Sequence, residues 1–174
     1  LTCYKSVEEV PHRLDLVVIA VKAQLVPAIM ESCGHAGVKA AIVLSAGFSE
    51  TGPRGAALER RISEAAKRHH IRLLGPNCLG VMRPQQGLNA TFAHTGALKG
   101  SIGLISQSGA LCAAILDWAK PNNVGFSAVV SLGSSSDIDF GDVLEYMISD
   151  PRTESIFLYV EGVRDARRFM SALR

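Results

Sequence analysis

Leu14-Asp15-Leu16-Val17-Val18-Ile19-Ala20-Val21 is an apolar run broken by a single aspartate. Its β-branched residues and its length fit a strand. Its lack of in-and-out alternation fits one covered on both faces. Directly after it, Val26, Ile29, Met30 and Cys33 fall at helical spacing over roughly 25–35, and Gly34 or Gly37 supplies the stop. The pattern repeats outward from there. Lys39 to Ser45 is a second buried strand, and Ala56 to His70 a helix with Leu58, Ile62, Ala65 and Ala66 on one face. Arg72-Leu73-Leu74 is a short third strand running into Gly75-Pro76-Asn77-Cys78. Residues 83–100 interrupt the pattern: Arg83-Pro84-Gln85-Gln86-Gly87 reads as a turn, and 95–100 lack periodicity. The alternation then restarts. Strands are expected at 101–106, 126–132 and 155–160. Helices are expected at 108–120 (burying Leu111, Ala114, Ile115 and Trp118), at 139–149 (Phe140, Val143, Leu144, Met147 and Ile148) and from 165 onward. Two such βαβαβ runs predict an α/β fold with parallel sheets and right-handed crossovers.

The composition agrees. Of 174 residues, 48% are apolar and 20% charged, enough apolar surface to offset the entropy lost on folding. A net charge of +2 with 6% aromatics argues against nucleic-acid and acidic-membrane surfaces. No apolar run approaches the roughly 20 residues of a membrane span, and the first residues lack the order of a signal peptide. The cysteines at 3, 33, 78 and 112 contain no CxxC spacing, and reduced thiols in a cytoplasmic protein are expected. The histidines at 12, 35, 69, 70 and 94 stand at no metal-ligand spacing. Leu1 is not an initiator Met, and the last residues stop within a helical pattern, so a piece of a longer chain is expected.

In parallel sheets, ligands bind beyond the carboxyl ends of the strands. Ser106-Gln107-Ser108-Gly109 follows a strand and opens a helix. Free N–H groups and the helix dipole make this either an anion site or a plain N-cap. Gly75-Pro76-Asn77-Cys78-Leu79-Gly80 is either a rigid turn or a loop shaping a pocket; Cys78 has no identifiable histidine partner. Gly133 to Asp139 offers hydroxyls and N–H groups, but its aspartates favour an N-cap. Glu161, ending the last strand, either orients a cationic or imidazole group or is solvated. There is no GxxxxGK[ST] phosphate loop.

Taken in order, Gly75–Gly80, Ile105-Ser106-Gln107-Ser108-Gly109-Ala110-Leu111, Asp139-Phe140-Gly141-Asp142-Val143-Leu144-Glu145-Tyr146 and Tyr159-Val160-Glu161-Gly162 resemble the NDP-forming acyl-CoA synthetases, relatives of the succinyl-CoA synthetase α subunit. Asp15–Val21 and Ala41-Ile42-Val43-Leu44-Ser45-Ala46-Gly47-Phe48 fit that family's CoA-binding domain. The resemblance implies a partial Rossmann-like CoA-binding domain over 1–90, lacking its first βα unit, and the N-terminal part of a flavodoxin-like ligase domain over 91–174. It implies CoA contacts at Val21, Lys22, Ser45, Ala46, Gly47, Asn77 and Cys78. It implies phosphate contacts at Ser106, Gln107, Ser108 and Gly109, and a catalytic carboxylate, Glu161, that steadies a phosphohistidine. The implied reaction is acid + CoA + NTP giving acyl-CoA + NDP + phosphate. ATP/ADP and Mg would be held by an ATP-grasp domain or subunit outside this chain. CoA or acyl-CoA and phosphate are the implied partners, a homo-oligomer is possible, and the segment alone is expected to be inactive. Gly34-His35-Ala36-Gly37 and His94-Thr95-Gly96 imitate phosphohistidine motifs, but family order puts the reactive histidine beyond Arg174. Gly87–Phe92, Ile115–Ala119 and Asp165–Phe169 also resemble the synthetase-like region of bacterial protein lysine acetyltransferases fused to a Gcn5-type domain. That region would sense acyl-CoA without catalysis.

Overall fold

The computed structural model describes residues 2–174. The first unit is a three-stranded parallel sheet of β1 (Leu16–Ile19), β2 (Ala40–Val43) and β3 (Arg72–Leu74), in that order. α1 (Val26–His35) and α2 (Pro53–Arg68) are its crossovers. Val26, Met30 and Cys33 of α1 and Ile62, Ala65 and Ala66 of α2 pack with Ile19, Ala41, Val43 and Leu73 into one core. Leu58 and Ile29 flank it. The stripes expected from the sequence are therefore the buried faces of both helices.

The second sheet has the order β5-β4-β7-β6-β8. β6 (Leu98–Ser106) lies between β7 (Gly125–Ser131) and β8 (Ser155–Tyr159) and is parallel to both. α3 (Gly109–Ala119), α4 (Phe140–Ile148) and α5 (Ala166–Ala172) complete the unit. Asp139 caps α4 in a reciprocal box with Asp142, and an aspartate, Asp165, also caps α5.

Several expectations are corrected. The interruption expected over 83–100 holds most of a hairpin and the start of a strand: β4 (Gly80–Arg83) and β5 (Leu88–Thr91) pair antiparallel, and β4 also pairs antiparallel with β7. The turn read at 83–87 is its tip, where Gly87 takes a φ of +69° that glycine adopts without strain. The otherwise parallel sheet thus gains two antiparallel strands, and β6 begins at Leu98 rather than Ser101. α3 buries Cys112, Leu116 and Ala119; of the face expected, Ile115 packs against that core but Trp118 is 60% exposed. Ile148 of α4 also faces outward.

The two sheets share a cluster in which Ile42, Leu74 and Cys78 meet Ile105, Val130, Leu132, Phe140 and Leu144. Loop contacts reinforce the joint. Ser134 N–H donates to Pro76 O, Ser136 N–H to Gly75 O, and Ile138 N–H to Leu73 O. Asp137 accepts from Leu73 N–H at 2.8 Å and from Arg72 Nε at 3.0 Å. This joint holds the loop after β3 against the strand ends of the second sheet.

Candidate functional site

A cleft of about 500 Å³ opens where those strand ends meet. Ala46, from the loop after β2, and Asn77 and Cys78, from the loop after β3, form one wall. Gln107, Ser108 and Gly109, from the loop after β6, and Glu161, after β8, face them. Residues expected to contact CoA and residues expected to contact phosphate therefore line one space. Its remaining lining is small or apolar: Leu44, Leu79, Phe92, Ala110 and Ala113. Phe92, 66% exposed, was not singled out as a site residue; its only signal was a place in the Gly87–Phe92 segment.

Ser108 is the N-cap of α3, its hydroxyl accepting from Leu111 N–H at 3.3 Å. The cap leaves the N–H groups of Gly109 and Ala110 without a bonded acceptor among the described residues. The start of α3 therefore offers two free donors and the positive end of a helix dipole to the cleft. A Cβ at 109 would lie 3.4 Å from Leu79 N and 3.7 Å from Ser131 Oγ, an ordinary packing distance.

The other residues of this loop stabilise its shape. Ser106 is fully buried; its hydroxyl donates to Ser108 O at 2.9 Å and accepts from Ser108 N–H at 3.0 Å. The Gln107 amide grips the segment after β8. Its Oε1 accepts from Glu161 N–H at 2.7 Å and Gly162 N–H at 2.9 Å, and its Nε2 donates to Gly162 O at 2.9 Å. Three hydrogen bonds from that amide thus fix Glu161 next to the start of α3.

Ser45 ties the first unit to the same region. Its hydroxyl accepts from Val21 N–H at 3.0 Å and its carbonyl from Asn77 N–H at 3.0 Å. Val21, Lys22, Ser45, Gly47 and Ser106 are not among the residues lining the cleft. Lys22 precedes a short 3-10 turn, Ala23–Leu25. Gly47, at φ +108°, donates to the Glu50 carboxylate at 2.5 Å.

Cys78 is 2% exposed, and its thiol donates to Val43 O at 3.4 Å. Burial pushes its pKa up to about 12, so it stays a neutral thiol and a poor nucleophile at neutral pH. The loop 133–139 spends Ser134 and Ser136 N–H groups on the loop after β3, and Asp139 caps α4, which favours the capping reading over an anion site. His35 ends α1 with its ring edge-on to His69 at 5.3 Å. His94 is exposed beside Asp117, at 3.2 Å. Neither lines the cleft. Among the described residues no group of His, Cys, Asp and Glu side chains could hold a metal ion, and no helix is long and apolar enough to cross a membrane.

Two families account for nearly the whole chain. The CoA binding domain matches residues 1–84 and the succinyl-CoA ligase like flavodoxin domain matches residues 99–174. The chain belongs to the NDP-forming acyl-CoA synthetases. It is 49% identical to an ADP-forming acetate–CoA ligase of Archaeoglobus fulgidus over 97% of its own length and 24% of that protein's. It is 46% identical to the α subunit of acetate–CoA ligase I of Pyrococcus furiosus, over 98% of its length and 37% of that subunit's. An acetyl-coenzyme A synthetase of Ca. Korarchaeum cryptofilum, solved with phosphate and ADP, superimposes with a TM-score of 0.94 at 38% identity. That alignment covers 99% of this chain and 37% of the other. The chain thus spans about a quarter to two fifths of the relatives it matches. All three are acyl-CoA-forming enzymes, which favours the synthetase reading over the acetyltransferase one.

Proposed function

We propose that this chain forms the CoA- and phosphate-handling cleft of an ADP-forming acyl-CoA synthetase. The observation that carries this is the convergence of Asn77, the free N–H groups of Gly109 and Ala110, and Glu161 on one cleft. The reaction is acyl-CoA + ADP + phosphate giving acid + CoA + ATP, relayed through a phosphorylated histidine outside this chain. In this reading the Gly109 and Ala110 N–H groups hold phosphate oxygens, and the dipole of α3 favours their negative charge. The Glu161 carboxylate accepts an imidazole N–H and holds the ring in line with the phosphate. Asn77 and Ala46 border the thiol end of CoA. Val21, Lys22, Ser45 and Gly47 shape the CoA side from behind the wall, and Ser106 and Gln107 hold the phosphate loop in place. The nucleotide and Mg belong to an ATP-grasp domain or subunit.

We place the division between the two units after Cys78. The pairing of β4 with β7 and the packing of Leu79 and Met82 with Leu104 and Leu116 support this over a division at residue 90. A reducing, cytoplasmic setting fits four free cysteines.

The test uses the full-length protein with acetyl-CoA, ADP and phosphate. ATP and free CoA should appear together. Glu161→Gln should cut kcat by about 100-fold while CoA binding stays within about threefold, because the interaction matters during phosphoryl transfer rather than in the ground state. Absence of ATP formation with wild-type protein and short-chain acyl-CoAs would overturn the reading.

A further inference from the structure

Glu59 stands in the middle of α2, outside the cleft, with its side chain only 9% exposed. Its carboxylate joins three loops. Oε2 accepts from Ser49 N–H at 3.2 Å. Oε1 accepts from the Ser136 hydroxyl at 2.6 Å and from Arg164 Nη2 at 3.2 Å. Ser49 follows the Ser45–Gly47 loop after β2. Ser136 belongs to the loop after β7, which bonds to Gly75 and Pro76. Arg164 lies three residues beyond Glu161.

A buried carboxylate is costly unless it is paired and hydrogen-bonded. Burial alone would raise the Glu59 pKa. The Ser136 hydroxyl, the Ser49 contacts and the Arg164 charge outweigh burial and bring it below the ordinary glutamate value. The group is therefore ionised at neutral pH, and it stays satisfied only while all three loops are in place.

The consequence falls on Glu161. Residues 161–165 are exposed along their whole length, so little packing fixes them. Gln107 grips Glu161 and Gly162 from the second unit. Arg164, reaching to Glu59, is the matching hold from the first unit. Gln107 fixes the backbone at 161 and 162, and a hold at Arg164, two residues on, sets the direction in which the chain leaves that point. The geometry points to Glu59 as a positioning residue that, through Arg164, sets where the Glu161 carboxylate stands and links it to the loop after β2. This rests on the reading of Glu161 given above.

The test uses the full-length enzyme and the ATP-forming assay, with Arg164→Ala, Glu59→Gln, their double variant and Arg164→Lys. Arg164 is about half exposed and Glu59 keeps its Ser49 and Ser136 hydrogen bonds without it, so its removal leaves the protein folded, which thermal unfolding checks. Both single variants should lower kcat by about tenfold, with the KM for acyl-CoA within about threefold, as a small displacement of a reacting group does. The double variant should fall no further than the worse single one, the non-additivity of two parts of one device. Arg164→Lys, which keeps the charge, should recover most of the loss. Single variants within twofold of wild-type kcat would overturn the inference, as would multiplied losses in the double. Wild-type protein that forms no ATP would remove the synthetase reading and this inference with it. An active wild type with unaffected variants would remove this inference alone.

Discussion

Cys78 lines the cleft, yet its thiol is donated to the Val43 carbonyl and sealed from water. With a pKa of about 12, its thiolate fraction at pH 8 is on the order of one in ten thousand. Cys112 is also pushed up, to about 11, by burial, and burial raises Cys33 too. Cys3 alone is exposed. Peptide-resolved alkylation of the native protein at pH 8 should therefore label Cys3 within minutes and leave 33, 78 and 112 untouched until denaturant is added. Labelling of Cys78 at the rate of Cys3 would show that the thiol faces the cleft. At this scale the sequence was informative about which loops matter and less so about what each side chain does. Gln107, expected to contact phosphate, lines the cleft, and its amide also clasps Glu161 and Gly162, 54 and 55 residues away. Nothing local in Ser106-Gln107-Ser108-Gly109 encodes that pairing, because its partner is a backbone segment brought alongside only when β8 pairs with β6.

Among the elements, α1 and α2 were legible because each has one apolar stripe, with a mostly charged remainder in α2 and small or polar residues in α1. α3 was not, since Leu111, Ala114, Ile115 and Trp118 form one apolar stripe and Cys112, Leu116 and Ala119 another. Periodicity cannot choose between two apolar faces; the sheet does, by burying the second. The β4–β5 hairpin escaped notice for a different reason: four-residue strands containing Gly80, Arg83 and Asn89 carry little strand propensity, and pairing with β7 overrides it. α4 was the clearest helix, and its start is also its most testable feature. Asp142 accepts from Asp139 N–H at 3.1 Å and pairs with Arg72 at 3.0 Å and Arg168 at 2.9 Å. Burial opposes ionisation of Asp142, but the Asp139 N–H and the two arginines outweigh it and hold the carboxyl below the usual aspartate range. A lowered folded-state pKa contributes stability above the unfolded pKa and loses it as pH falls through the folded value. Asp142→Ala should thus cost about 1–2 kcal/mol at pH 7, and the difference from wild type should shrink as pH falls below about 4. Urea unfolding at the two pH values checks this; a gap independent of pH would mean the ionised carboxylate contributes nothing.

The whole molecule is two α/β units joined by a shared apolar cluster and loop hydrogen bonds, and the alternation of apolar runs was enough to announce both. The joint itself was not legible, because beside its apolar cluster it depends on one loop's backbone bonded to another's. At Gly133, φ is +56°, and a Cβ would lie 2.2 Å from Pro76 O and 2.5 Å from Asn77 O. Neither neighbour is a flexible side-chain end, so a methyl group there could be accommodated only by parting the loops. Parting them would stretch the Ser134–Pro76 and Ser136–Gly75 hydrogen bonds and shift Asn77 relative to the start of α3. Gly87 provides the control: its φ is similar, at +69°, but nothing lies within 4 Å of its Cβ position. Gly87→Ala should cost only the left-handed backbone strain, about 1–2 kcal/mol. Gly133→Ala carries that strain plus the collision and should cost about 3–5 kcal/mol. It should also speed hydrogen exchange at the Ser134 and Ser136 amides and weaken CoA binding, whereas Gly87→Ala leaves both unchanged. Thermal unfolding of the two variants beside wild type, with exchange read at those amides, decides the matter. Equal losses would mean that the two units meet loosely, and that the cleft between their loops does not depend on this joint.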